Sequence, residues 1–195
     1  MDKAAWRQSA QRQRLALAKD SPNHARQLAL APGLESWLPG AGESVACFAS
    51  IGTEPDTAGL LRTMAGRGLT VLLPAPGAPG QAVQWGQVVP AQCALPGVLP
   101  VPPPTVLPAQ ALSQCQLVLV PALAVDRSGT RLGRGGGWYD RALGHLAPGS
   151  VVLAVVYPQE VWPAGALPRE NHDQSVDGVL TWFGVELFEA PDRSN

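Results

Sequence analysis

Residues 117–140 have the sequence Leu-Val-Leu-Val-Pro-Ala-Leu-Ala-Val-Asp-Arg-Ser-Gly-Thr-Arg-Leu-Gly-Arg-Gly-Gly-Gly-Trp-Tyr-Asp. The apolar run Leu117–Val120 ends at Pro121 and is the strongest strand signal in the chain. Four glycines within five positions then precede a helix predicted over Trp138–Leu146. A strand, a Gly-rich turn and a helix are typical of α/β folds, which bind ligands at the carboxyl ends of parallel strands.

Strands and helices alternate along the rest of the chain. Helices are also predicted at Lys3–Leu17, Ser21–Leu30 and Thr57–Arg67, and strands at Val45–Ala49, Leu69–Leu73, Val151–Val156, Val179–Trp182 and Val185–Phe188. Asp56 is expected to cap the helix that ends at Gly68, a residue that tolerates the left-handed conformation. The pattern predicts a three-layer α/β/α Rossmann-like sandwich with a mostly parallel sheet.

Length and composition favour one domain spanning residues 1–195. The chain has 46% hydrophobic and 15% charged residues, so it has enough apolar surface to build a core. A Pro/Gly-rich stretch, residues 74–108, would leave undersized domains on both sides if it were a linker. We therefore interpret it as an excursion over one core, with a possible strand at Gln81–Val88.

The charge balance and the apolar pattern exclude several classes of protein. A formal net charge of −1 argues against nucleic-acid binding, and the longest apolar run is too short to cross a membrane. The first residues lack the apolar segment of a secretory signal, so we expect a cytoplasmic protein, and a monomer. The cysteines, Cys47, Cys93 and Cys115, fit no metal-binding spacing and are expected to be free thiols.

The Gly-rich segment predicts an anion site. Glycine backbone can turn several N–H groups toward an anion, and Arg131 and Arg134 carry forked donors that suit phosphate. The alternative is a flexible surface turn with solvated arginines. Asp140 could hold Mg²⁺ beside a phosphate or could complement the helix dipole, and its spacing leaves both open.

The same segment resembles a known signature. Pro121–Asp126 followed by Gly129–Arg141 closely resembles the signature of the 5-formyltetrahydrofolate cyclo-ligase family, also called methenyltetrahydrofolate synthetases. The order and spacing of further motifs match along nearly the whole chain. These motifs are Lys3 with Arg7, the segment Gly52–Thr57 that contains Glu54, and His172-Asp173 before Val176-Asp177 with Thr181.

The resemblance implies ATP-dependent cyclisation of 5-formyltetrahydrofolate to 5,10-methenyltetrahydrofolate, with ADP and phosphate as the other products and Mg²⁺ as cofactor. By the same likeness the ATP contacts are Lys3, Arg7, Arg131, Leu132, Gly133, Arg134, Gly135, Gly136, Gly137, Trp138 and Tyr139. The folate contacts are Glu54, Arg134, Gly135, Gly136, Gly137 and Trp138. Arg134 would be catalytic, and Asp140 and Asp173 would hold Mg²⁺, with Asp177 as the rival of Asp173.

Two departures and two rival functions stay open at this stage. Trp138 stands where the family commonly has Tyr, and residues 76–108 lack basic residues that many members carry after the second strand. One rival is a sugar-phosphate isomerase or acyl-transfer protein that uses Glu54 as a base, and the other is a silent folate- or nucleotide-binding module. Taken alone, Glu54 could equally be an exposed loop acid, and Lys3 could fray at the terminus.

Overall fold

The structure is a computed structural model that describes residues 2–19, 31–75, 83–88 and 106–189. The predicted helix Ser21–Leu30, Cys93 and most of the excursion lie outside the described residues. The strands are β1 (Ser44–Ala46), β2 (Thr70–Ala75), β3 (Gln84–Val88), β4 (Val106–Leu107), β5 (Cys115–Pro121), β6 (Ala124–Asp126), β7 (Arg131–Leu132), β8 (Val151–Val155), β9 (Val161–Trp162), β10 (Gly178–Thr181) and β11 (Gly184–Leu187). The α-helices are α1 (Lys3–Lys19), α2 (Ala58–Gly66) and α3 (Trp138–Leu143), and short 3₁₀ helices occupy Leu34–Trp37, Ala109–Gln114 and Pro158–Glu160.

Eight strands form one central sheet in the order β11-β10-β8-β5-β1-β2-β3-β4. The five strands from β10 to β2 are parallel, and β11, β3 and β4 are added antiparallel at the two edges. The prediction of a mostly parallel sheet is therefore confirmed. The predicted strand at Gln81–Val88 corresponds to β3, which pairs with both β2 and β4.

Side chains alternate across the sheet and form a core on each face. In β5, Leu117 and Leu119 join the cluster that packs against α2, whereas Val118 and Val120 join the cluster that includes Ala142 of α3. A strand whose two sides are both apolar must be covered on both faces, which explains its continuous hydrophobic run. The predicted three-layer arrangement follows from this burial.

The predicted helix boundaries are close to those observed, although the N-cap residue of α2 is Thr57 and not Asp56. The Asp56 carboxylate accepts a hydrogen bond from the Ala58 N–H at 2.8 Å, at the start of α2. Gly68 follows the helix with φ +77°, the left-handed conformation that glycine adopts without steric cost. Helix α3 is shorter than predicted, because it ends at Leu143 and Gly144 forms its C-cap.

A second, three-stranded sheet in the order β7-β6-β9 was not predicted. The sequence analysis interpreted this part of the glycine signature as a loop, whereas β6 and β7 pair as an antiparallel hairpin. The buried Asp126 shapes the turn, since its Oδ1 accepts hydrogen bonds from the Ser128 and Thr130 N–H groups at 3.0 and 3.2 Å. Strands of two or three residues are too short to carry the alternation by which strands are recognised.

The sheet order reverses between β1 and β5. From β1 the chain continues to β2 on one side, and later returns to place β5 on the other. The crevice at the carboxyl ends of two such strands is where open α/β sheets bind ligands. A ligand site is therefore expected at the segments that follow β1 and β5.

No helix among the described residues is long and apolar enough to cross a membrane. The expectations of a single domain, a monomer and a cytoplasmic location stay predictions.

Candidate functional site

A cavity of about 730 Å³ opens at the carboxyl ends of β1, β2 and β5. All of the site residues predicted from the sequence line it: Lys3, Arg7, Glu54, Arg131, Leu132, Gly133, Arg134, Gly135, Gly136, Gly137, Trp138, Tyr139, Asp140 and Asp173. They come from helix α1, from the loops after β1 and β7, and from the segment before β10. The fold thus brings together residues that are up to 170 positions apart.

The glycine loop, residues 133–137, has two positions at which a side chain would be strained by a positive φ and would crowd an arginine. Gly135 has φ +101°, and a Cβ there would lie 3.3 Å from the guanidinium carbon of Arg7. Gly137 has φ +62°, and a Cβ there would lie 2.9 Å from a guanidinium nitrogen of Arg141. The two arginines also donate to loop carbonyls, Arg7 to Gly133 at 3.0 Å and Arg141 to Gly136 at 2.8 Å. The loop is therefore held in place by ordered contacts rather than being a flexible surface turn.

The two arginines of the signature have different surroundings. The side chain of Arg131 is 3% exposed; its Nη2 donates to Asp140 Oδ1 at 2.7 Å and its Nη1 to the Pro121 carbonyl at 3.3 Å. The side chain of Arg134 is 58% exposed and donates to Glu54 Oε1 at 2.9 Å. Both carry forked donors, and the resemblance gives the catalytic role to Arg134. Arg134 is also the exposed cation of the two.

Glu54 is a buried cavity acid. Its side chain is 8% exposed, and its Oε2 accepts a hydrogen bond from the Ile51 N–H at 2.9 Å while Oε1 accepts from Arg134. The interpretation as an exposed loop acid is wrong, since the turn after β1 folds its carboxylate inward.

Lys3 is ordered although it lies near the amino end. Its Nζ contacts Asp173 Oδ2 at 2.6 Å and Glu170 Oε2 at 3.1 Å, with the lysine side chain 13% exposed. Burial opposes ionisation of Asp173, but the hydrogen bonds from Lys3 and from the Glu170 N–H keep the pKa of that carboxyl below its usual value. The expectation of fraying at Lys3 is therefore wrong.

Asp140 and Asp173 line the same wall of the cavity, and the sequence neighbour of Asp173 is bonded to Asp140. The Gln174 N–H donates to Asp140 Oδ1 at 3.4 Å. Asp177, the rival metal ligand, accepts a hydrogen bond from the Val152 N–H at 2.7 Å and is not among the described residues that line the cavity. Carboxylate oxygens are the ligands that Mg²⁺ prefers, so the donor chemistry of Asp140 and Asp173 fits this ion.

Aromatic side chains form part of the wall. Tyr139 packs edge-on against Trp85 with ring centroids 6.3 Å apart, and burial raises the pKa of its hydroxyl, which therefore stays protonated. Trp138 is 39% exposed and offers an indole surface to the cavity. Trp6 packs edge-on against Trp162, with ring centroids 5.2 Å apart, and is a packing residue.

Two charged residues of this cavity, Glu170 and Arg14, are absent from the site predicted from the sequence. Arg14 is 1% exposed. The spacing of Arg14 indicates that it shares a helix face with the predicted cations. Lys3, Arg7 and Arg14 are separated by 4 and 7 residues, which places all three on one face of the helix.

The comparisons with known proteins agree with the geometry. A family model described as the 5-formyltetrahydrofolate cyclo-ligase family matches residues 1–182. The chain belongs to this family. A 5-formyltetrahydrofolate cyclo-ligase of Mycolicibacterium smegmatis is 42% identical to this family member over 160 residues, which cover 77% of this chain and 81% of that protein.

Solved structures of the 5,10-methenyltetrahydrofolate synthetases of Aquifex aeolicus and Mycoplasma pneumoniae share the fold of this cyclo-ligase family member. The first has a TM-score of 0.71 at 22% identity and covers 100% of this chain and 96% of its own. The second has a TM-score of 0.70 at 17% identity and covers 93% of this chain and 99% of its own. At these identities the likeness is one of fold, and it confirms the α/β architecture.

Replacement of the two signature arginines by methionine should affect stability very differently. Arg131→Met leaves the Asp140 carboxylate without its buried partner and should lower the free energy of unfolding by about 3 kcal/mol. Arg134→Met is the matched control: the guanidinium that it removes is 58% exposed, so water can take its place beside Glu54 and the loss should be only about 1 kcal/mol. Urea unfolding of both variants measures the difference. Equal losses would contradict the assignment of Arg131 to the framework of the cavity.

Proposed function

We propose that this family member converts 5-formyltetrahydrofolate to 5,10-methenyltetrahydrofolate with ATP, releasing ADP and phosphate. The observation that carries the proposal is a single cavity in which residues 121–123 and 131–140 of the family signature meet Lys3, Arg7 and Glu54. One cavity for both substrates suits a reaction in which one substrate is phosphorylated by the other.

The chemistry explains why the cavity is rich in cations and needs no nucleophilic side chain. The formyl oxygen is a poor leaving group until the γ-phosphoryl group of ATP is transferred to it, which releases ADP. The N10 nitrogen of the folate then attacks the formyl carbon and loses its proton, and the oxygen leaves as part of phosphate. Catalysis of phosphoryl transfer is largely positioning and charge neutralisation.

Arg134 is the residue that we assign to the transferred phosphoryl group. It belongs to the glycine loop, and its exposed guanidinium can leave Glu54 for a phosphate with little loss of stability. Lys3, Arg7 and the loop 132–139 provide the remaining ATP contacts in this proposal. Arg131 contributes by holding the loop and Asp140, since its guanidinium is already engaged by Asp140 and Pro121.

Glu54 is assigned to the folate. When Arg134 turns to phosphate, Oε1 of Glu54 becomes available to accept a hydrogen bond from an N–H group of the folate. Apolar side chains beside it, including Phe48, Ile51 and Trp138, offer surface to the flat rings. The loop backbone at 135–137 lines the same cavity and is assigned to both substrates.

Asp140 and Asp173 would hold Mg²⁺. The ion would neutralise charge on the ATP phosphates. Both carboxylates already have a cationic partner, Asp140 in Arg131 and Asp173 in Lys3, which stabilises two acids close to a phosphate site.

The rival enzymatic reading, in which Glu54 is a general base, is disfavoured by the family to which the chain belongs. In the proposed reaction Glu54 binds the folate and takes no proton from it. A silent binding module would bind both ligands without turnover, and the next experiment separates it from the ligase.

Production of ADP should require 5-formyltetrahydrofolate, because the phosphoryl acceptor is the oxygen of that substrate. Parallel assays measure ADP and the methenyl product with both substrates, with ATP alone and with the folate alone. One ADP should form for each methenyl group. Equal ADP production with and without the folate would contradict the proposal, and binding of both ligands without any product would favour the silent module.

Asp140→Asn should raise the Mg²⁺ requirement and reduce turnover strongly. Asparagine keeps the size and can still accept from Arg131, but it lacks the charge that a hard cation needs. If Asp140 only supported the fold through Arg131 and the helix dipole, the change would cost stability and leave the activity of the folded protein and its Mg²⁺ requirement nearly unchanged.

A magnesium titration of the wild type, Asp140→Asn and Asp177→Asn measures this requirement. Asp177 bonds the sheet at Val152 rather than lining the cavity, so its variant is the matched control and should follow the wild-type curve. Superimposable curves for Asp140→Asn and the wild type would eliminate Asp140 as a ligand.

A further inference from the structure

Arg14 and Glu160 form a buried ion pair outside the family signature. Arg14 Nε donates to Glu160 Oε1 at 2.6 Å and Nη2 donates to Oε2 at 2.5 Å, and each side chain is 2% exposed. The same Nη2 also donates to the Ala122 carbonyl at 2.5 Å. The partners are 146 positions apart in the sequence.

Glu160 is fixed on its own side of the pair as well. It ends the 3₁₀ helix at Pro158–Glu160, and its Oε2 accepts a hydrogen bond from the Tyr157 N–H at 2.9 Å. The guanidinium carbon of Arg14 lies 5.9 Å from the centroid of the Tyr157 ring. The Glu160 carboxylate is therefore oriented by its own segment as well as by Arg14.

The pair connects three separate parts of the fold. Arg14 belongs to α1, Ala122 follows β5, and Glu160 follows β8. A buried ion pair often adds little to stability compared with apolar residues of the same volume, because both charges must be desolvated. Its forked geometry, by contrast, defines both the distance and the orientation of the partners.

Arg14 is also well placed to set the position of the cations in the cavity. Lys3 and Arg7 lie on the same face of α1, and each contacts a different wall, Lys3 at Asp173 and Arg7 at the Gly133 carbonyl. A shift or rotation of α1 would move both cations together. Arg14 is the most buried of these three residues, and it lies nearer the carboxyl end of α1 than Lys3 and Arg7.

We propose that Arg14 and Glu160 are a positioning pair that fixes the register and rotation of α1, and thereby aims Lys3 and Arg7 at the phosphates of ATP. The second half of this statement rests on the proposed function. The pair acts through Lys3 and Arg7 and has no contact with the reacting atoms.

Arg14→Lys tests the pair because lysine keeps the charge and loses the fork. The matched control is Arg12→Lys, the same change at an exposed position of the same helix. In the ligand-free protein, amide hydrogen exchange within α1 should accelerate about tenfold in Arg14→Lys and remain unchanged in the control. In the assay the KM for ATP should rise about tenfold, while kcat and the KM for the folate change less than about threefold.

The exchange measurement and the assay separate this inference from the proposed function. Accelerated exchange in α1 without folate-dependent ATP turnover by the wild type would support the pair and contradict the function. Exchange and KM for ATP both unchanged in a folded Arg14→Lys protein would overturn the inference.

Two further measurements cover the case in which Arg14→Lys does not fold. The double variant Arg14→Met/Glu160→Leu removes both charges together and should show the same faster exchange in α1. In the wild type, the most slowly exchanging amides of α1 near Arg14 should exchange through a local opening. The free energy of that opening should equal the free energy of the opening at residues 157–160. A markedly easier opening of α1 would contradict its attachment through the pair.

Discussion

Two backbone carbonyls at the end of β5 organise the site. The carbonyl of Pro121 accepts a hydrogen bond from Arg131, and the carbonyl of Ala122 accepts one from Arg14. A strand that leaves a sheet exposes carbonyl groups that need partners, and buried ones are costly if left unpaired. Here guanidinium groups from two distant segments provide the partners. The end of the central strand is thus the point at which α1, the glycine loop and the sheet are joined.

A second feature of the site is that its cations are already paired before any ligand is considered. Arg134 contacts Glu54, Lys3 contacts Asp173, and Arg131 contacts Asp140. The attraction within each pair offsets part of the cost of desolvating charged groups in a partly apolar cavity, since each charge faces its opposite. The three pairs differ in burial. Arg131 and Lys3 belong to the framework of the cavity, whereas Arg134 is the cation that can contact a ligand, because of the three it alone combines an exposed guanidinium with a buried acid.

Much of the fold was predictable from local sequence, and the site from the family signature. The apolar runs at β5 and β8 and the cap at Asp56 identified the layers, because each is a signal within a few residues. The β6–β7 hairpin was missed because its strands are too short for any periodicity. The inward turn of Glu54 and the Arg14–Glu160 pair depend on contacts far apart in sequence, which only the assembled sheet brings together.

The central claim is that ATP activates the formyl oxygen of the folate within this cavity. The most direct measurement uses 5-formyltetrahydrofolate whose formyl oxygen is a heavy isotope, followed by mass analysis of the phosphate that is released. If the oxygen is phosphorylated and then leaves as N10 closes the ring, the heavy isotope appears in phosphate in a one-to-one ratio with the methenyl product. Phosphate that carries only the natural isotope, with the label released into water, would contradict the account.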